Sequence, residues 1–212
     1  MIKRIAVIGD VHAHDVRLSV ALQSIRQKHV DVIACTGDVV DGPGCVETCC
    51  RLLREHKVAC VRGNHDRWVF SGLLRDRPHA TDQGTLTEED RAFIQGLPPT
   101  RTYEIHGGGS LLLCHGIGSS DLEKLTEFHT EYAITQNRAL QTVLSAGHRV
   151  MVNGHSHERG VMQVGPLTIV NAGSLKHPED PGFVLLDFVT NRLEWHSIAG
   201  EQTSVAEAHA MF

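Results

Sequence analysis

Three short apolar runs in the first third of the chain constrain its fold more than any other feature. They cover residues 5–8, 32–35 and 58–61, and a segment with helical periodicity separates each run from the next. Continuous apolar runs of this length are typical of strands that are buried on both faces. Parallel strands need a crossover connection, and a helix supplies it. The pattern therefore predicts a β-α-β-α-β unit built around a parallel sheet.

The second half of the chain is predicted to contain β-hairpins. Strand-like segments flank short turn sequences at residues 107–109, 165–166 and 190–191. Such turns between two apolar runs are typical of antiparallel strand pairs. A helix is predicted for residues 131–145. Together with the first third of the chain, these segments predict an α/β fold.

Length and composition indicate one globular domain. Hydrophobic residues make up 41% of the chain and charged residues 21%, as in ordinary soluble proteins. A chain of 212 residues is long enough to bury one continuous core. We expect a single domain over residues 1–212, in which residues 67–100 form a cap or insert and residues 201–212 a frayed tail.

Charge and hydropathy exclude several partners. The net charge is −5 and no basic run occurs, so duplex nucleic acid is not an expected partner. No apolar run approaches the roughly 18 residues that a membrane helix needs, so no membrane association is expected. The six cysteines lie in apolar stretches without a Cys-x-x-Cys pair. They are predicted to be buried, reduced thiols of a cytoplasmic protein. The oligomeric state is left open.

Five apolar runs end in side chains that can bind a metal ion or carry a proton. In an α/β protein, functional sites form at the carboxyl ends of the strands, and glycines beside these runs let the backbone turn there. Any one histidine taken alone is better explained as a core or surface residue, but the recurrence favours a metal site. The candidates are Asp10 with His12, Asp38, Asn64 with His65, His115, and His155 with His157.

The donor types narrow the choice of metal. They are oxygen and imidazole nitrogen without thiolate, which suits Mn, Fe, Zn or Ni better than Ca or Mg. Without His65, the candidates still number more than one ion normally binds. Two ions about 3.5–4 Å apart, bridged by a carboxylate, would use them all. We therefore predict two divalent transition-metal ions, with manganese favoured over iron, zinc and nickel.

These motifs also carry a family resemblance. The chain resembles the calcineurin-like metallophosphoesterase superfamily, and within it the small bacterial phosphodiesterase branch. The resemblance implies a two-sheet β-sandwich flanked by α-helices, with the site at the carboxyl ends of the strands. The matching segments are Gly9-Asp10-Val11-His12, Gly37-Asp38-Val39-Val40-Asp41, Gly63-Asn64-His65-Asp66, Cys114-His115-Gly116, Gly154-His155-Ser156-His157 and Asn171-Ala172-Gly173-Ser174.

The resemblance further implies how the ligands divide between the two metals. Asp38 would bridge both ions. The first ion would be held by Asp10, His12 and His157, and the second by Asn64, His115 and His155.

The expected reaction is two-metal hydrolysis of a phosphoester. A bridging water would lose a proton near neutral pH and attack phosphorus in line. His65 is the candidate general acid for the leaving group, and Asp66 is expected to orient its ring. An alternative for Asp66 is that it caps the next segment.

Two segments depart from the family pattern. Ala13-His14 stands where Gly-Asn is common, so His14 is a candidate substrate contact, with a solvent-facing histidine as the alternative. Asp41-Gly42-Pro43 replaces the Asp-Arg-Gly of protein phosphatases and dinucleoside-tetraphosphate hydrolases, which removes a phosphate-binding arginine. Arg62 matches those phosphatases and is assigned to substrate binding, with a structural ion pair as the alternative.

The prediction that follows is a phosphodiesterase for a small phosphoester or nucleotide substrate. A phosphomonoesterase acting on a phosphoprotein or a dinucleoside polyphosphate is one alternative. A non-catalytic interaction scaffold of the same fold is another. Trp68 and Phe70 either stack on a base of the substrate or belong to the core.

Overall fold

The computed structural model of the chain describes residues 1–125 and 131–211. The first of its two sheets has six strands in the order β11-β10-β9-β1-β2-β3. The predicted β-α-β-α-β unit forms its parallel part, in which β1 pairs with β2 and β2 with β3. The unit consists of β1 (Arg4–Ile8), α1 (Asp15–Arg26), β2 (Val32–Cys35), α2 (Val46–Glu55) and β3 (Ala59–Cys60).

Three antiparallel strands complete the first sheet. They are β9 (Gly182–Asp187), β10 (Arg192–Ala199) and β11 (Gln202–Ala210). The prediction of a frayed tail from residue 201 is wrong, because β11 pairs with β10 along its whole length. Its side chains are mostly exposed. An edge strand held by backbone hydrogen bonds needs no apolar pattern, and residues 202–210 therefore lack the hydropathy pattern that predicts a strand.

The second sheet has five strands in the order β4-β5-β6-β8-β7. The predicted hairpins around residues 107–109 and 165–166 are confirmed as β4–β5 and β7–β8. Strands β5, β6 and β8 run parallel. The five strands are β4 (Thr100–Glu104), β5 (Ser110–Cys114), β6 (Val150–Asn153), β7 (Arg159–Val164) and β8 (Leu167–Ala172).

One helix prediction needs correction, and one helix begins inside a predicted motif. The segment at residues 131–145 is two helices, because Asn137 interrupts it and its side chain caps the second helix at the Leu140 N–H. The helix after β3 begins at Asn64, inside the predicted ligand motif. The remaining helices are α3 (Asn64–Ser71), α4 (Glu88–Gln95), α5 (Glu131–Gln136) and α6 (Arg138–Ser145), with a short 3-10 helix at Gln83–Thr85.

The core has three layers, which confirms the predicted sandwich of two sheets flanked by helices. Ile5 and Val7 of β1 face the second sheet, while Ala6 and Ile8 pack with α1 and α2. A third cluster lies between the second sheet and α6. Because β1 is buried on both faces, its apolar run is continuous.

Two further expectations concern the burial of the cysteines and the presence of a membrane-spanning helix. All six cysteines are free thiols, and five are buried as predicted. Cys45 is exposed, because it lies at the N-terminal end of α2 and not on its inner face. Among the described residues, no helix has the length and hydropathy required to span a membrane.

Candidate metal centre

The carboxyl ends of strands from both sheets meet at one point. Asp10 follows β1, Asp38 follows β2, and His115 follows β5. Asn64 is the first residue of α3, and the loop after β6 carries His155 and His157. The structure thus brings all seven predicted metal ligands together, from segments that are distant in the sequence.

One half of the cluster contains the ligands assigned to the first ion. Asp10, His12, Asp38 and His157 each offer a ligand atom, and these atoms all lie within 4.8 Å of one another. The Nε2 atom of His157 is 3.1 Å from His12 Nε2 and 3.3 Å from Asp10 Oδ2. His12 Nε2 is 3.6 Å from Asp38 Oδ2.

The other half contains the ligands assigned to the second ion. One terminal atom of the Asn64 amide lies 2.8 Å from His115 Nε2 and 3.0 Å from His155 Nδ1. His115 Nε2 is also 3.5 Å from Asp38 Oδ2. Because the same Asp38 oxygen lies near His12 and near His115, Asp38 occupies the position expected of a bridging ligand.

Hydrogen bonds fix which nitrogen of each histidine can bind a metal. His12 donates through Nδ1 to the Asp41 carbonyl at 2.9 Å, and His115 donates through Nδ1 to the Thr36 carbonyl at 2.9 Å. His155 donates through Nε2 to the Leu122 carbonyl at 3.0 Å. The nitrogen that remains on each ring carries a lone pair and faces the cluster. Orientation of this kind is what metal-binding histidines require.

The backbone adopts left-handed conformations at the ligands. The φ angles are +45° at His12, +45° at Asp38, +66° at His155 and +65° at His157. His12 therefore reaches Asp10 through a turn of the backbone and not through an extended strand. Positive φ at residues other than glycine is uncommon and concentrates at functional sites. The bent loop also sends His155 and His157 to different halves of the cluster.

Two glycines of the motifs pack directly against carboxylates of the cluster. A Cβ atom added to Gly63 would lie 2.1 Å from Asp38 Oδ1, and one added to Gly154 would lie 2.2 Å from Asp10 Oδ1. No real Cβ approaches an oxygen so closely. Both glycines therefore allow a backbone segment to lie against a carboxylate of the cluster.

The electrostatics of the cluster fit a divalent cation. Burial, together with the charges of Asp10 and Asp66, raises the pKa of Asp38 well above its usual range. Burial would also raise the pKa of Asp10, but nearby His115 and His157 outweigh it and lower that pKa. Burial lowers the pKa of His12 to about 3, which keeps its ring neutral. The His12 imidazole and the two crowded carboxylates of Asp10 and Asp38 are donors that a divalent metal would stabilise.

The group that orients His65 differs from the prediction. His65 Nδ1 lies 2.6 Å from Asp41 Oδ2, and the His65 ring is 4.9 Å from the His12 ring. Asp41 also accepts hydrogen bonds from Arg75 at 2.7 and 2.9 Å and from the Thr81 N–H at 2.8 Å. These bonds outweigh burial and lower the pKa of Asp41. Asp41 is the last residue of the Gly37-Asp38-Val39-Val40-Asp41 motif, and its role as the partner of His65 was not predicted.

Asp66 has a structural position. Its carboxylate is buried and accepts hydrogen bonds from the N–H groups of Gly63 at 2.9 Å, Val39 at 2.8 Å and Val40 at 3.4 Å. The prediction that Asp66 orients the His65 ring is therefore wrong, and the alternative that it caps the next segment is right. Its oxygens join the start of α3 to the loop after β2.

Asp66→Ala is expected to affect stability more than metal binding. Loss of the buried carboxylate leaves backbone N–H groups unpaired, which should lower the free energy of unfolding by about 1–3 kcal/mol. Urea denaturation of the metal-free protein measures this change. Asp31→Ala is the matched control, because Asp31 accepts two backbone hydrogen bonds at an exposed position. An equal loss in both variants would contradict the role of burial.

The candidate substrate contacts separate into two groups. Arg62 lines a narrow recess with His115, Ser120 and Asp121, next to the second half of the cluster. His14 lies at the start of α1 and lines a different surface depression, with Arg17 and Pro43. The structure therefore brings Arg62 to the cluster, whereas His14 belongs to another surface.

The two aromatic candidates also separate. Phe70 packs against the core between the first sheet and its helices, as the core alternative predicts. The Trp68 ring lies 4.9 Å from the His65 ring, and the Arg77 guanidinium lies 5.5 Å from the centre of the Trp68 ring. Trp68 therefore lies beside the candidate general acid, with a cation over its ring.

Sequence comparisons place the whole cluster within a known domain. A model of the calcineurin-like phosphoesterase superfamily domain matches residues 4–191. An uncharacterised protein from Methanocaldococcus jannaschii is 36% identical over 66 residues, which are 31% of this chain and 27% of that protein. The match thus spans a minor part of this curated relative.

Solved structures show a similar architecture. A metallophosphoesterase from Sphaerobacter thermophilus has a TM-score of 0.69 at 22% identity, over 93% of this chain and 89% of that one. A phosphoesterase from E. coli has a TM-score of 0.60 at 20% identity, over 99% and 100%. Vacuolar protein sorting 29 from Cryptosporidium parvum has a TM-score of 0.57 at 17% identity, over 99% and 98%. At these identities the likeness establishes a shared fold.

Proposed function

The chain belongs to the calcineurin-like phosphoesterase superfamily, and on that premise we propose that it is a dinuclear metal-dependent phosphodiesterase acting on a small phosphodiester. The observation that supports this most is that every predicted ligand position carries a suitable side chain, and that these side chains form two halves around Asp38. Asp38 lies between three ligands on one side and three on the other, and its carboxylate oxygen is 3.6 Å and 3.5 Å from His12 and His115. A scaffold without catalytic function would not need this arrangement.

The proposed metal ligands follow the two halves of the cluster. Asp10, His12 and His157 would hold one ion, Asn64, His115 and His155 the other, and Asp38 both. Such ions supply Lewis-acid activation of water and neutralise charge on the phosphoryl oxygens. The histidine tautomers set by the Asp41, Thr36 and Leu122 carbonyls are those that this role requires.

His65 is proposed to donate a proton to the leaving oxygen. Its Nδ1 is occupied by Asp41, so Nε2 is the atom available to the substrate. Asp41 keeps the ring in one orientation. Arg75 and Thr81 hold Asp41 in turn, so that the acid is positioned by residues outside the metal cluster.

The preference for a diester rests on the segment after Asp41. A Cβ atom added to Gly42 would lie 1.6 Å from the His12 carbonyl oxygen, so this backbone has no room for an arginine at that position. The Arg75 guanidinium is paired with Asp41. A phosphomonoester carries more negative charge than a diester and gains more from bidentate arginine contacts. Arg62 lies beside the cluster, and its single positive charge suits the single negative charge of a phosphodiester.

The test is a substrate panel with Mn, Ni, Zn and Mg. Bis(p-nitrophenyl) phosphate is expected to be hydrolysed with a higher kcat/KM than p-nitrophenyl phosphate, and with a transition metal more than with Mg. A preference for the monoester would favour the phosphomonoesterase alternative. A protein that holds no transition metal and hydrolyses no activated ester would restore the scaffold alternative.

A further inference from the structure

The loop that follows β5 brings two consecutive main-chain carbonyls to the second half of the cluster. The Leu122 carbonyl accepts a hydrogen bond from His155 Nε2 at 3.0 Å. The Asp121 carbonyl oxygen lies 3.1 Å from a terminal atom of the Asn64 amide. Main-chain oxygens of this loop therefore contact two residues that are proposed to bind the second ion.

The orientation of the Asn64 amide decides what the Asp121 carbonyl does. The terminal atom that faces this carbonyl is also the one that faces His115 and His155. If it is nitrogen, the amide donates to the carbonyl, and the amide oxygen turns to the His65 N–H at 3.3 Å. An amide NH₂ group is a hydrogen-bond donor, so only the oxygen can act as a metal ligand.

In the ligand role, the Asn64 oxygen and the Asp121 carbonyl oxygen face each other at 3.1 Å. No hydrogen lies between two acceptors, and their partial negative charges repel each other. A cation that contacts both oxygens turns this repulsion into attraction. The pair of oxygens is therefore a site for a positive ion on the side of the cluster that contains His115.

The distances around the Asn64 atom fit one coordination shell. In an octahedral shell with bonds of about 2.1 Å, neighbouring ligand atoms lie about 3 Å apart. The Asn64 atom lies 2.8 Å from His115 Nε2, 3.0 Å from His155 Nδ1 and 3.1 Å from the Asp121 carbonyl oxygen. A carbonyl oxygen is also a donor that suits manganese.

An ion pair holds Asp121 in this position. Arg67 donates from Nε to one Asp121 carboxylate oxygen at 2.7 Å and from Nη2 to the other at 2.9 Å. A bidentate arginine–carboxylate pair fixes geometry as well as charge. Arg67 lies three residues after Asn64 in α3, and residues at this spacing are neighbours on the surface of a helix. The same helix thus carries Asn64 and the arginine that holds Asp121.

We propose that the main-chain carbonyl of Asp121 is a further ligand of the second ion, and that Arg67 is the positioning residue that holds it there. The inference rests on the proposed function, because it adds a donor to the dinuclear centre. Asp38 and the side chains of Asn64, His115 and His155 remain the other ligands of this ion.

A change in the main chain tests the ligand directly. Replacing Leu122 by leucic acid, its α-hydroxy analogue, turns the Asp121 carbonyl from an amide into an ester, which is a weaker donor, and keeps every side chain. The Leu122 N–H donates no hydrogen bond to any described residue, so none of these is lost. Leucic acid at Leu73 is the matched control, because Leu73 is also exposed and its N–H has no acceptor among the described residues.

Arg67→Ala tests the positioning residue. Its matched control is Arg54→Ala, which removes the arginine that donates to Asp90 at 2.8 Å, outside the cluster. Calorimetric titration of each metal-free protein with Mn²⁺ measures the affinities of the two sites, and His155→Ala identifies the second site. Binding at that site should weaken about tenfold with leucic acid at Leu122 and about 10–100-fold in Arg67→Ala, as when groups that support metal ligands are altered.

The first site should keep its affinity in both altered proteins, and both controls should match the wild type. A second site that is unchanged or tighter with leucic acid at Leu122 would overturn the carbonyl ligand. An unchanged second site in Arg67→Ala would overturn the positioning role.

Metal binding separates this inference from the activity. If the ester weakens the second site while no protein hydrolyses a diester, the Asp121 ligand stands and the phosphodiesterase fails. If the wild type hydrolyses diesters and the ester changes neither affinity, the phosphodiesterase stands and the Asp121 ligand fails. A wild type that binds fewer than two Mn²⁺ contradicts both.

Discussion

Asp38→Asn is expected to reduce kcat for bis(p-nitrophenyl) phosphate by about three orders of magnitude or more, because a metal centre supplies several kcal/mol of charge stabilisation to the transition state. The substitution keeps the shape of the side chain and removes its negative charge. Asp38 is the proposed ligand that lies near both halves of the cluster, with its carboxylate oxygen Oδ2 3.6 Å from His12 Nε2 and 3.5 Å from His115 Nε2. Without the bridge, we expect the protein to hold fewer than two ions.

Elemental analysis of the purified variant, together with kcat, measures both effects. Asp82→Asn is the matched control, because Asp82 is an exposed aspartate that caps the short 3-10 helix. It should retain wild-type activity and metal content. An Asp38→Asn protein that kept two ions and a normal kcat would show that Asp38 does not bridge the metals.

His65→Ala is expected to lose about 10²–10⁴-fold in kcat on diesters with poor leaving groups, the usual contribution of a general acid. The loss should be smaller for p-nitrophenyl esters, whose leaving group needs little protonation. Metal content should be unchanged, because His65 contacts Asp41 and the ligand atoms converge without it. Rates on methyl and p-nitrophenyl diesters, with elemental analysis, measure the difference.

His14→Ala is the matched control, because it also replaces one histidine by alanine but does so outside the metal cluster. His14 lines a separate surface depression, so this variant should match the wild type on both diesters. Loss of metal from His65→Ala would make His65 a ligand. An equal loss on good and poor leaving groups would remove its role as a proton donor.

The elements that depend on hydropathy were predictable from the sequence. The continuous run of β1 follows from burial on both faces, and the hairpins at residues 107–109 and 165–166 follow from their turn residues. The convergence of the candidate ligands was predictable because these residues follow the ends of strands. The strand β11 was not, because its stability comes from backbone pairing with β10 and its side chains are mostly exposed.

The orientation of His65 was beyond a sequence argument. Asp66 is its neighbour in the chain, whereas Asp41 is 24 residues away. Asp41 reaches His65 from a backbone with φ of +63°, and Arg75 and Thr81 hold its carboxylate from a segment without a regular pattern. Proximity in sequence favoured Asp66, but the helix that begins at Asn64 turns that carboxylate toward backbone N–H groups.

Titration of metal-free protein with Mn²⁺ while hydrolysis of bis(p-nitrophenyl) phosphate is followed tests the dinuclear phosphodiesterase most directly. The seven ligands and the central position of Asp38 predict that activity rises until two Mn²⁺ are bound per chain and then levels off. Activity that saturates at one Mn²⁺ per chain, or a protein that binds two and leaves the diester intact, would contradict it.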